Sequence, residues 1–452
     1  MAEELKLFNT LTRKKEVFKS IKKGEVGMYV CGPTVNDVPH LGHARQQVTF
    51  DILRKYFKFI GYKVKFVSNI TDIEDKIIKK ANELNEDIKK LTERNIKVHK
   101  EDYEHLGIQI PDIQPKATEY VRQMIELVQL LEKKGYTYKI IDDGIYYNVK
   151  KFKKYGKLAH LDIKKQKGKS RVSIKENKKS KEDFVLWKFS KPDEPEWNSP
   201  WGKGRPGWHI ECSAMSHSIL GLPFDIHGGG QDLIFPHHED EIAQSEAAYG
   251  KKVANYWVHN GMINVNKVKM SKSLGNFTTI RDLLKNYPGK AIRYFMFLTH
   301  YRNPIDFSAE NLDSAKIAYE RLKRKILELK KEEHKGKDKT EEYEKQFKEA
   351  INDDLNMPKA IQILWKIVDD YEFETKKKLQ LIKKLDSVLS LDISDIKEQR
   401  VQIPPEVRKI LAEREILRKE KKWAEADILR ERIKELGFII QDTEKGQKLE
   451  KI

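Results

Sequence analysis

Two short motifs combine imidazole or amine side chains with glycine, a composition expected of a site that binds phosphate. His40-Leu41-Gly42-His43 stands between a predicted strand and a predicted helix. Gly42 lets a phosphate approach the backbone, the helix N-terminus offers unpaired N–H groups, and the imidazoles can stabilise an α-phosphate during adenylyl transfer. In Lys269-Met270-Ser271-Lys272-Ser273, two lysines can neutralise a triphosphate and its leaving pyrophosphate. Each motif alone is weak, but the pair in this order favours a nucleotide-activating site.

The chain has two cysteines, Cys31 and Cys212, and one histidine–glutamate pair at a spacing that suits a metal ion. His237 and Glu241 are four residues apart, so they share one face of a helix, which Pro236 can begin. Thiolate and imidazole ligands favour zinc over hard cations. Free cysteines are, however, commonly small apolar core residues, and a helical His–Glu pair is common on surfaces. The residues by themselves leave both interpretations open.

The elements predicted around these residues form an α/β unit. Residues 27–30 are predicted as a strand, residues with apolar helical spacing follow the first motif, and residues 62–67 alternate as a second strand. This order is a βαβ unit of a doubly wound sheet. A second half begins near Arg205, with a strand at 224–227 before three glycines. Beyond about residue 310 the pattern becomes helical and charged.

The composition excludes several classes of protein. A chain of 452 residues has room for about three domains, and 39% hydrophobic residues are enough for folded ones. No apolar run approaches the ~18 residues of a membrane span, and the first residues carry no secretory signal. Two cysteines make no disulfide scaffold. We therefore expect a cytoplasmic enzyme.

The positive charge is concentrated in one segment. The whole chain has 88 Lys and Arg against 70 Asp and Glu, a net charge of +18. Residues 150–181 hold 14 of these bases against Asp162 and Glu176, which leaves +12. Clustered cations bind nucleic acid by releasing its counterions, but a solvated lysine-rich face has the same composition. Charge alone does not separate the two interpretations.

The two phosphate motifs, in this order, resemble those of class I aminoacyl-tRNA synthetases. Further segments are similar to the cysteinyl-tRNA synthetase family, namely YVCGPTV at 29–35, FVLWK at 184–188, RPGWHIECSAM at 205–215, FPHHE at 235–239 and NDDLN at 352–356. The resemblance covers nearly the whole chain. It implies an α/β fold, with a Rossmann-type doubly wound parallel sheet as catalytic domain and a connective insertion. An all-α helical bundle and a small C-terminal anticodon-binding domain would follow.

The resemblance also implies domain limits along the chain. The halves of the catalytic domain would span 1–120 and 205–260, separated by the basic insertion at 121–204 on the acceptor-stem side. The KMSKS-containing region would span 261–310, the helical bundle 311–400 and the anticodon-binding region 401–452. Pro404 and Pro405 mark the last of these boundaries, and Gly437 is a predicted helix C-cap.

Roles for individual residues are carried over from the family on its motifs. Catalytic residues would be His40, His43, Lys269 and Lys272, and ATP would contact His40, His43, Asp225, Gly228, Gly229, Gly230 and Lys272. Cysteine would contact Gly32, Thr71 and Trp208, and one zinc ion would be held by Cys31, Cys212, His237 and Glu241. Arg418, Asp427 and Asp442 would read the anticodon, with Trp423 for stacking, although Trp423 can equally be helix core.

The activity implied by the resemblance has two steps. L-Cysteine and Mg²⁺-ATP give cysteinyl-adenylate and pyrophosphate, and the terminal adenosine of tRNA(Cys) then accepts cysteine, in class I through its 2′-OH. Zinc would bind the substrate sulfur and so separate cysteine from serine, a near-isostere that shape alone separates by roughly 10²-fold. We expect tRNA(Cys), ATP and L-cysteine as partners, no membrane, and a monomer. The tail at 443–449 lacks a tryptophan often seen there in the family.

Three alternatives remain at this stage. A related class of enzyme activates cysteine but joins it to an amino sugar, and the long helical C-terminal region argues against it. A catalytically silent tRNA-binding protein is disfavoured by intact motifs. A persulfide-forming side activity would involve the lysines of KIIKK at 76–80, whose simpler interpretation is a solvated helix face.

Overall fold

The computed structural model describes residues 4–161, 177–192, 194–265, 268–269, 277–396, 404–443 and 446–451. The contacts divide the chain into two compact units, Met1–Asp395 and Ile396–Ile452. Among the helices in these described ranges, none combines the length and apolar character needed to cross a membrane.

Strands and helices alternate in the first unit. The described elements of both units are as follows. The strands are β1 (Lys6–Asn9), β2 (Lys14–Val17), β3 (Glu25–Val30), β4 (Lys63–Ser68), β5 (Thr137–Ile140), β6 (Gly144–Tyr147), β7 (Phe184–Phe189), β8 (Gly204–Pro206), β9 (Phe224–Gly230), β10 (Ala254–Asn260), β11 (Ile263–Val265), β12 (Val268–Lys269), β13 (Ile305–Phe307), β14 (Phe438–Thr443) and β15 (Gly446–Lys451). The helices are α1 (Leu41–Phe59), α2 (Asp75–Leu84), α3 (Ile88–His105), α4 (Val121–Lys133), α5 (Trp208–Leu220), α6 (Glu239–Tyr249), α7 (Ile280–Leu284), α8 (Gly289–Phe297), α9 (Ala309–Leu329), α10 (Thr340–Asn352), α11 (Met357–Asp369), α12 (Thr375–Leu389), α13 (Pro405–Lys419) and α14 (Trp423–Glu435).

The central sheet is parallel and has the strand order β10-β9-β3-β4. Tyr29 at its centre lies opposite Val67 on one side and His227 on the other. Helix α1 packs against β4, β9 and β10, and residues of α5 and α6 share a core with Tyr29, Val67 and Trp257 of the sheet, as expected for buried parallel strands. The predicted doubly wound sheet is therefore confirmed. The prediction ended the third strand before the glycines, whereas β9 continues through them to Gly230.

Helix α1 follows β3 and connects it to β4, completing the predicted βαβ unit. Its apolar face includes Leu41, Val48 and Ile52, all buried, because these residues recur at intervals of seven and four. His40 is its N-cap, and its end is followed by Gly61 at φ +95°, in the left-handed region that glycine adopts without strain. The phosphate motif therefore lies where a parallel strand passes into a helix.

The predicted insertion contains an antiparallel sheet of order β5-β6-β7-β8. Tyr147 and Phe184 stack across its strands with ring centroids 4.9 Å apart. Strand β8 crosses the predicted boundary at 204/205, since Arg205 pairs with Lys188 of β7. The polypeptide leaves this sheet at Pro206 and enters α5 at Trp208.

The helical region after residue 309 is confirmed by α9 to α12. A buried ion pair attaches it to the catalytic domain: the Arg293 guanidinium lies 2.6 Å from the Asp51 carboxylate of α1 and donates to the Leu389 carbonyl at the end of α12. Burial opposes ionisation of Asp51, but Arg293 and Lys55 outweigh it and lower the pKa of this carboxyl. Such a pair ties two elements together because breaking it leaves a buried charge.

The second unit has its own core. Val407 and Ile410 of α13 pack with Ile433 of α14 and with Phe438 and Ile440 of β14. Pro405 is the first residue of α13, a position where its missing N–H costs no hydrogen bond. Gly437 follows α14 with φ +86°, which confirms the predicted helix end. The hairpin of β14 and β15 completes the unit.

Candidate active site and metal centre

Four side chains from separate parts of the first unit meet at one buried point. Their ligand atoms, from Cys31, Cys212, His237 and Glu241, all lie within 4.8 Å of one another. The two sulfur atoms are 3.5 Å apart, and the Glu241 Oε1 atom is 3.3 Å from Cys31 Sγ and 3.2 Å from His237 Nε2. The structure thus brings together the set that the sequence suggested.

Each of these residues is placed by an element of the parallel sheet or its covering helices. Cys31 follows β3, and its N–H donates to the Gly228 carbonyl of β9. Cys212 is on α5, and Glu241 is on α6. The prediction began the second helix at Pro236, but residues 234–238 form a separate π-helical turn and α6 begins at Glu239. His237 and Glu241 nevertheless face each other.

The donor set and its spacing fit zinc. A tetrahedral ion with Zn–S bonds of about 2.3 Å requires its two sulfurs about 3.8 Å apart, close to the observed separation. Burial, reinforced by Cys212 and Glu241 nearby, raises the pKa of the Cys31 thiol. A divalent cation would offset the cost of two buried thiolates and a carboxylate. Two thiolates and one imidazole select zinc over magnesium or calcium.

Other histidines support this set, and the sequence reasoning missed them. His227 Nε2 lies 2.8 Å from Glu241 Oε2, so it holds the carboxylate oxygen that points away from His237. His209 Nδ1 lies 2.8 Å from His237 Nδ1, and burial lowers the pKa of His209 to about 3. Partners of this kind fix ligand orientation. Their sequence signal was their position: His227 comes directly before the three glycines of β9, and His209 comes three residues before Cys212 on α5.

A second grouping shares two residues with the first. Cys31 and Glu241 also come within the same 4.8 Å limit of His227 and His238. It has one thiolate instead of two, which makes it less selective for zinc. The Nδ1 atom of His238 lies 2.8 Å from His259 Nε2, whereas its Nε2 atom has no hydrogen-bond partner within the described residues. The first grouping is therefore the better metal site.

The first phosphate motif forms the N-terminus of α1. His40 Nδ1 accepts from the Gly42 N–H at 3.0 Å, and His43 Nδ1 accepts from the His40 N–H at 3.2 Å. The two rings stack with centroids 3.8 Å apart. Because Nδ1 accepts in both rings, each neutral ring carries its proton on Nε2, where it can donate to a phosphate oxygen. The positive end of the helix dipole would further stabilise the negative charge of a phosphate bound there.

A cavity of about 400 Å³ opens in front of this helix end. Its lining includes Gly32, His40, His43, Lys76, Trp208 and Gly230, which brings together predicted residues of both phosphate and amino-acid contact. The Trp208 ring contacts the candidate zinc ligand His237, with centroids 4.4 Å apart. Lys76, interpreted from sequence as surface, lies in this lining with its Nζ 5.6 Å from the Trp208 ring centroid. The cavity therefore joins the helix N-terminus to the metal site.

The residues directly before and after the second phosphate motif lie near the cavity in front of α1. Lys269 is in β12, which pairs with β11, and Ile263 of β11 lines the cavity. Residues 270–276, which include Lys272, lie outside the described residues, as does the Lys269 side chain. Phe277 then packs edge-on against His40, with centroids 5.0 Å apart, and the Ile280 N–H donates to the Pro39 carbonyl.

The four ATP contacts predicted in β9 lie at different distances from this cavity. Asp225 lies near the start of the strand, about 17 Å of extended chain from Gly230, and its carboxylate accepts the N–H groups of Ile21 and Gly27 at 2.7 Å. It is outside the cavity lining and has a structural role. Gly228 and Gly229 are also outside it: a Cβ on Gly228 would lie 2.3 Å from the Phe50 ring. Gly230 alone of these four residues lines the cavity.

Asn69 is a further residue that sequence reasoning missed. It is fully buried, its Oδ1 accepts the Gly32 N–H at 2.9 Å, and its Nδ2 donates to Thr71 Oγ1 at 3.4 Å. A Cβ on Gly32 would lie 1.5 Å from the Asn69 carbonyl oxygen, so only glycine fits there. Thr71, predicted to contact cysteine, lies behind the cavity and donates to the buried Glu211 carboxylate at 2.8 Å.

The residues predicted to read an anticodon lie in the second unit. Trp423 is 55% exposed, so it is not helix core, and the Arg418 guanidinium lies 5.7 Å from its ring centroid. Asp427 is exposed on α14. Asp442, however, accepts from Arg418 at 2.6 Å and is bound through both oxygens by the buried Arg414. Asp442 therefore has a structural partner within its own unit.

Replacing a thiol should release the metal. We expect Cys31→Ser to lower bound zinc from about one ion per chain to near zero, because a serine hydroxyl stays protonated and is a poor zinc ligand. Ser245→Ala on α6 is the matched control, because the Ser245 Oγ atom is buried and has no hydrogen-bond partner within the described residues. Plasma emission of the purified proteins measures zinc. Unchanged metal in Cys31→Ser would contradict the four-ligand site.

Two families match the chain in separate regions. The family described as tRNA synthetases class I (C) catalytic domain matches residues 17–317. The family described as cysteinyl-tRNA ligase anticodon binding domain matches residues 400–448, all within the second unit. The first match covers well over half of the chain and includes all four candidate zinc ligands.

Relatives match over nearly the whole length. Cysteine--tRNA ligases of Thermococcus gammatolerans and Vibrio atlanticus are each 44% identical, with 98% of this chain and 98% of the relative covered. The fold is similar to Mycobacterium tuberculosis methionyl-tRNA synthetase in complex with methionyl-adenylate, at 13% identity and a TM-score of 0.60, over 82% of this chain and 92% of that one. With this identity, a matching catalytic and anticodon domain and the assembled ligands, the chain belongs to the cysteinyl-tRNA synthetase family.

Proposed function

We propose that this chain is a cysteine--tRNA ligase, which activates L-cysteine with ATP and transfers it to tRNA(Cys). One observation carries the proposal: two buried cysteines, a histidine and a glutamate converge beside a cavity that opens on a helix N-terminus with two stacked histidines. A metal that selects sulfur and a site that stabilises phosphate charge are the two requirements of cysteine activation. The 44% identity to cysteine--tRNA ligases supports the same activity.

Cys31, Cys212, His237 and Glu241 would hold the zinc ion. When bound, zinc supplies a preference for a thiolate, whose ordinary thiol pKa is about 8.5, over a serine hydroxyl that stays protonated near neutrality. His227 and His209 keep the ligands oriented through Glu241 and His237. Gly32 and Trp208 form the wall of the cavity next to this site and bound the space for the amino acid.

In the activation step, a cysteine carboxylate oxygen attacks the α-phosphorus of Mg²⁺-ATP, and pyrophosphate leaves. The carboxylate is already a nucleophile, so this chain contributes positioning and charge stabilisation. The Nε2–H groups of His40 and His43 and the N-terminus of α1 stabilise the negative charge that develops on the α-phosphate. Lys269 and Lys272 would pair with the leaving phosphates, as the motif implies.

In the transfer step, a terminal ribose hydroxyl of the tRNA attacks the carbonyl carbon of cysteinyl-adenylate, and AMP leaves. The basic insertion would approach the acceptor stem. Trp423, exposed and paired with Arg418, offers a stacking surface for an anticodon base in the second unit. Asp427 would accept a hydrogen bond from a base there, while the pairing of Asp442 with Arg414 makes its part indirect.

Cysteine-dependent exchange of pyrophosphate into ATP tests the proposed activation directly. We expect rapid exchange with cysteine and at least roughly 10³-fold lower kcat/KM with serine, which is more than the roughly 10²-fold available from shape. Chelation of zinc should reduce this selectivity and the rate, and added zinc should restore both. A folded, zinc-loaded protein that shows no exchange would instead favour a silent tRNA-binding protein.

Asn69 should set the shape of the amino-acid cavity. We expect Asn69→Ala to raise the KM for cysteine about tenfold or more, since it leaves the Gly32 N–H without its acceptor and removes the donor to Thr71 Oγ1, which then keeps only its bond to Glu211. The KM for ATP should change less, because the His40 end of the cavity is untouched. Steady-state exchange kinetics measure both constants.

Ser68→Ala is the matched control for Asn69, because Ser68 is the neighbouring buried residue and its Oγ has no hydrogen-bond partner in the described parts of the chain. We expect its kinetic constants to stay within about twofold of the wild-type values. Equal effects of the two substitutions would mean that general disturbance of β4, and not the Asn69 hydrogen bonds, changes cysteine binding.

Removal of the second unit should separate the two steps. We expect a chain ending at residue 400 to keep pyrophosphate exchange within a few-fold and to lose at least about 100-fold in kcat/KM for charging of tRNA(Cys), because the proposed anticodon contacts are gone. Trp423→Ala in the full chain should give a smaller loss of the same kind, since base–aromatic stacking contributes about 1–3 kcal/mol. Equal loss of both activities would contradict this division of labour.

A further inference from the structure

A second, larger cavity lies apart from the active site. Its volume is about 660 Å³, within the range of roughly 300–1,000 Å³ typical of small-molecule sites. It is formed where the insertion, near Phe152, meets the start of β10, near Val253. The cavity in front of α1 instead uses Asn260, the last residue of β10, and Gly261, which begin about 10 Å of extended chain beyond Trp257 of the second cavity.

The rim of this cavity carries a large positive charge. Its lysines are Lys151, Lys153, Lys154, Lys157, Lys251 and Lys252, against one acid, Glu246. Lys157 pairs with Glu246 at 2.5 Å, and within the described residues the other five lysines form no ion pair. These five are exposed, and they come from two segments that are distant in sequence. Like charges held around one concave space repel each other unless an anion lies between them.

The floor of the cavity is apolar and aromatic. Tyr136, Phe152 and Trp257 line it together with Leu11, Ile242 and Val253. Phe152 is 9% and Trp257 1% exposed, so the ring that a ligand can reach is mainly that of the half-buried Tyr136. A floor of this kind would bind a ring or sugar, while an inorganic anion would gain nothing from it. Charge at the rim and aromatic surface below are the two features that a nucleotide requires.

We propose that this cavity binds a free nucleotide, with its phosphates between the lysines of the rim and its base or sugar on the aromatic floor. The site is distinct from the ATP contact at α1, because the two cavities share no lining residue among those described. An RNA strand would need an extended groove that follows its backbone, whereas this volume is that of one small molecule. The proposal does not depend on the proposed ligase activity.

Equilibrium dialysis of the full, zinc-loaded chain with each of the four ribonucleoside triphosphates tests the proposal. We expect two ATP sites per chain, or at least one more nucleotide site than the double variant Lys154→Glu/Lys252→Glu retains. In that variant the affinity of the cavity should fall about tenfold or more, since charge-assisted contacts to phosphate are lost and replaced by repulsion. Cysteine-dependent exchange should continue in the variant, because neither lysine lies at the active site.

The matched control is Lys97→Glu/Lys100→Glu, which makes the same charge change on exposed residues of α3, away from this cavity. It should retain every nucleotide site. Inorganic tripolyphosphate should displace the nucleotide from the cavity only at about tenfold or higher excess, because it has no ring for the floor. Thermal midpoints and zinc content verify that the variants are folded.

Three results would overturn the proposal. The first is the same number of nucleotide sites in the wild-type chain and both double variants. The second is tripolyphosphate binding as tightly as the nucleotides, which would indicate a simple anion patch. The third is loss of tRNA charging in Lys154→Glu/Lys252→Glu with unchanged nucleotide binding, which would assign the lysines to RNA. A failure of the ligase proposal would appear separately, as absence of exchange in the wild-type chain.

Discussion

The parallel pairing of β3 with β9 is the interaction on which the site depends. Met28, Tyr29 and Val30 lie opposite Ile226, His227 and Gly228, and the Cys31 N–H continues the ladder to the Gly228 carbonyl. Gly228 must lack a side chain, because a Cβ there would occupy the position of the Phe50 ring of α1. With the strands in this register, Cys31 lies next to His227, and α5 and α6 can bring the remaining ligands to the same point.

Burial gives this arrangement its chemical character. The candidate zinc ligands are almost completely buried, so ionising their thiols and carboxyl group is costly unless a cation is bound. Once a cation is bound, the surrounding packing holds the ligand atoms in fixed positions. Hydrogen bonds from His227 and His209 hold Glu241 and His237 at fixed angles. In contrast, the cavity in front of α1 is open to ligands, and its lining includes the glycines Gly32, Gly42, Gly230 and Gly261, which expose their backbone. A rigid metal centre that prefers sulfur, next to an accessible phosphate-binding cavity, suits the activation of cysteine by ATP.

Much of this was predictable from local patterns, and the errors have a common cause. The motif at His40–His43, the strands around it and the helical C-terminal half follow from spacing and composition. Asp225 was expected beside ATP through the family resemblance, but it lies near the opposite end of β9 from Gly230, which lines the cavity. Gly228 and Gly229 are also outside the lining, and their missing side chains make room for Phe50 and His238. Because a strand rises about 3.3 Å per residue, residues only five positions apart in β9 are already too far apart to contact the same ligand group.

The sequence by itself determined the βαβ order, the helix that begins at His40 and, through a family resemblance, the identity of the four ligands. Only the tertiary structure decided that Asn69 supports Gly32, that His227 holds Glu241, and that lysines from two distant segments surround one aromatic floor. Local propensity and periodicity act over a few residues, whereas these contacts join segments up to about 100 residues apart, and their geometry is set by sheet pairing and helix packing.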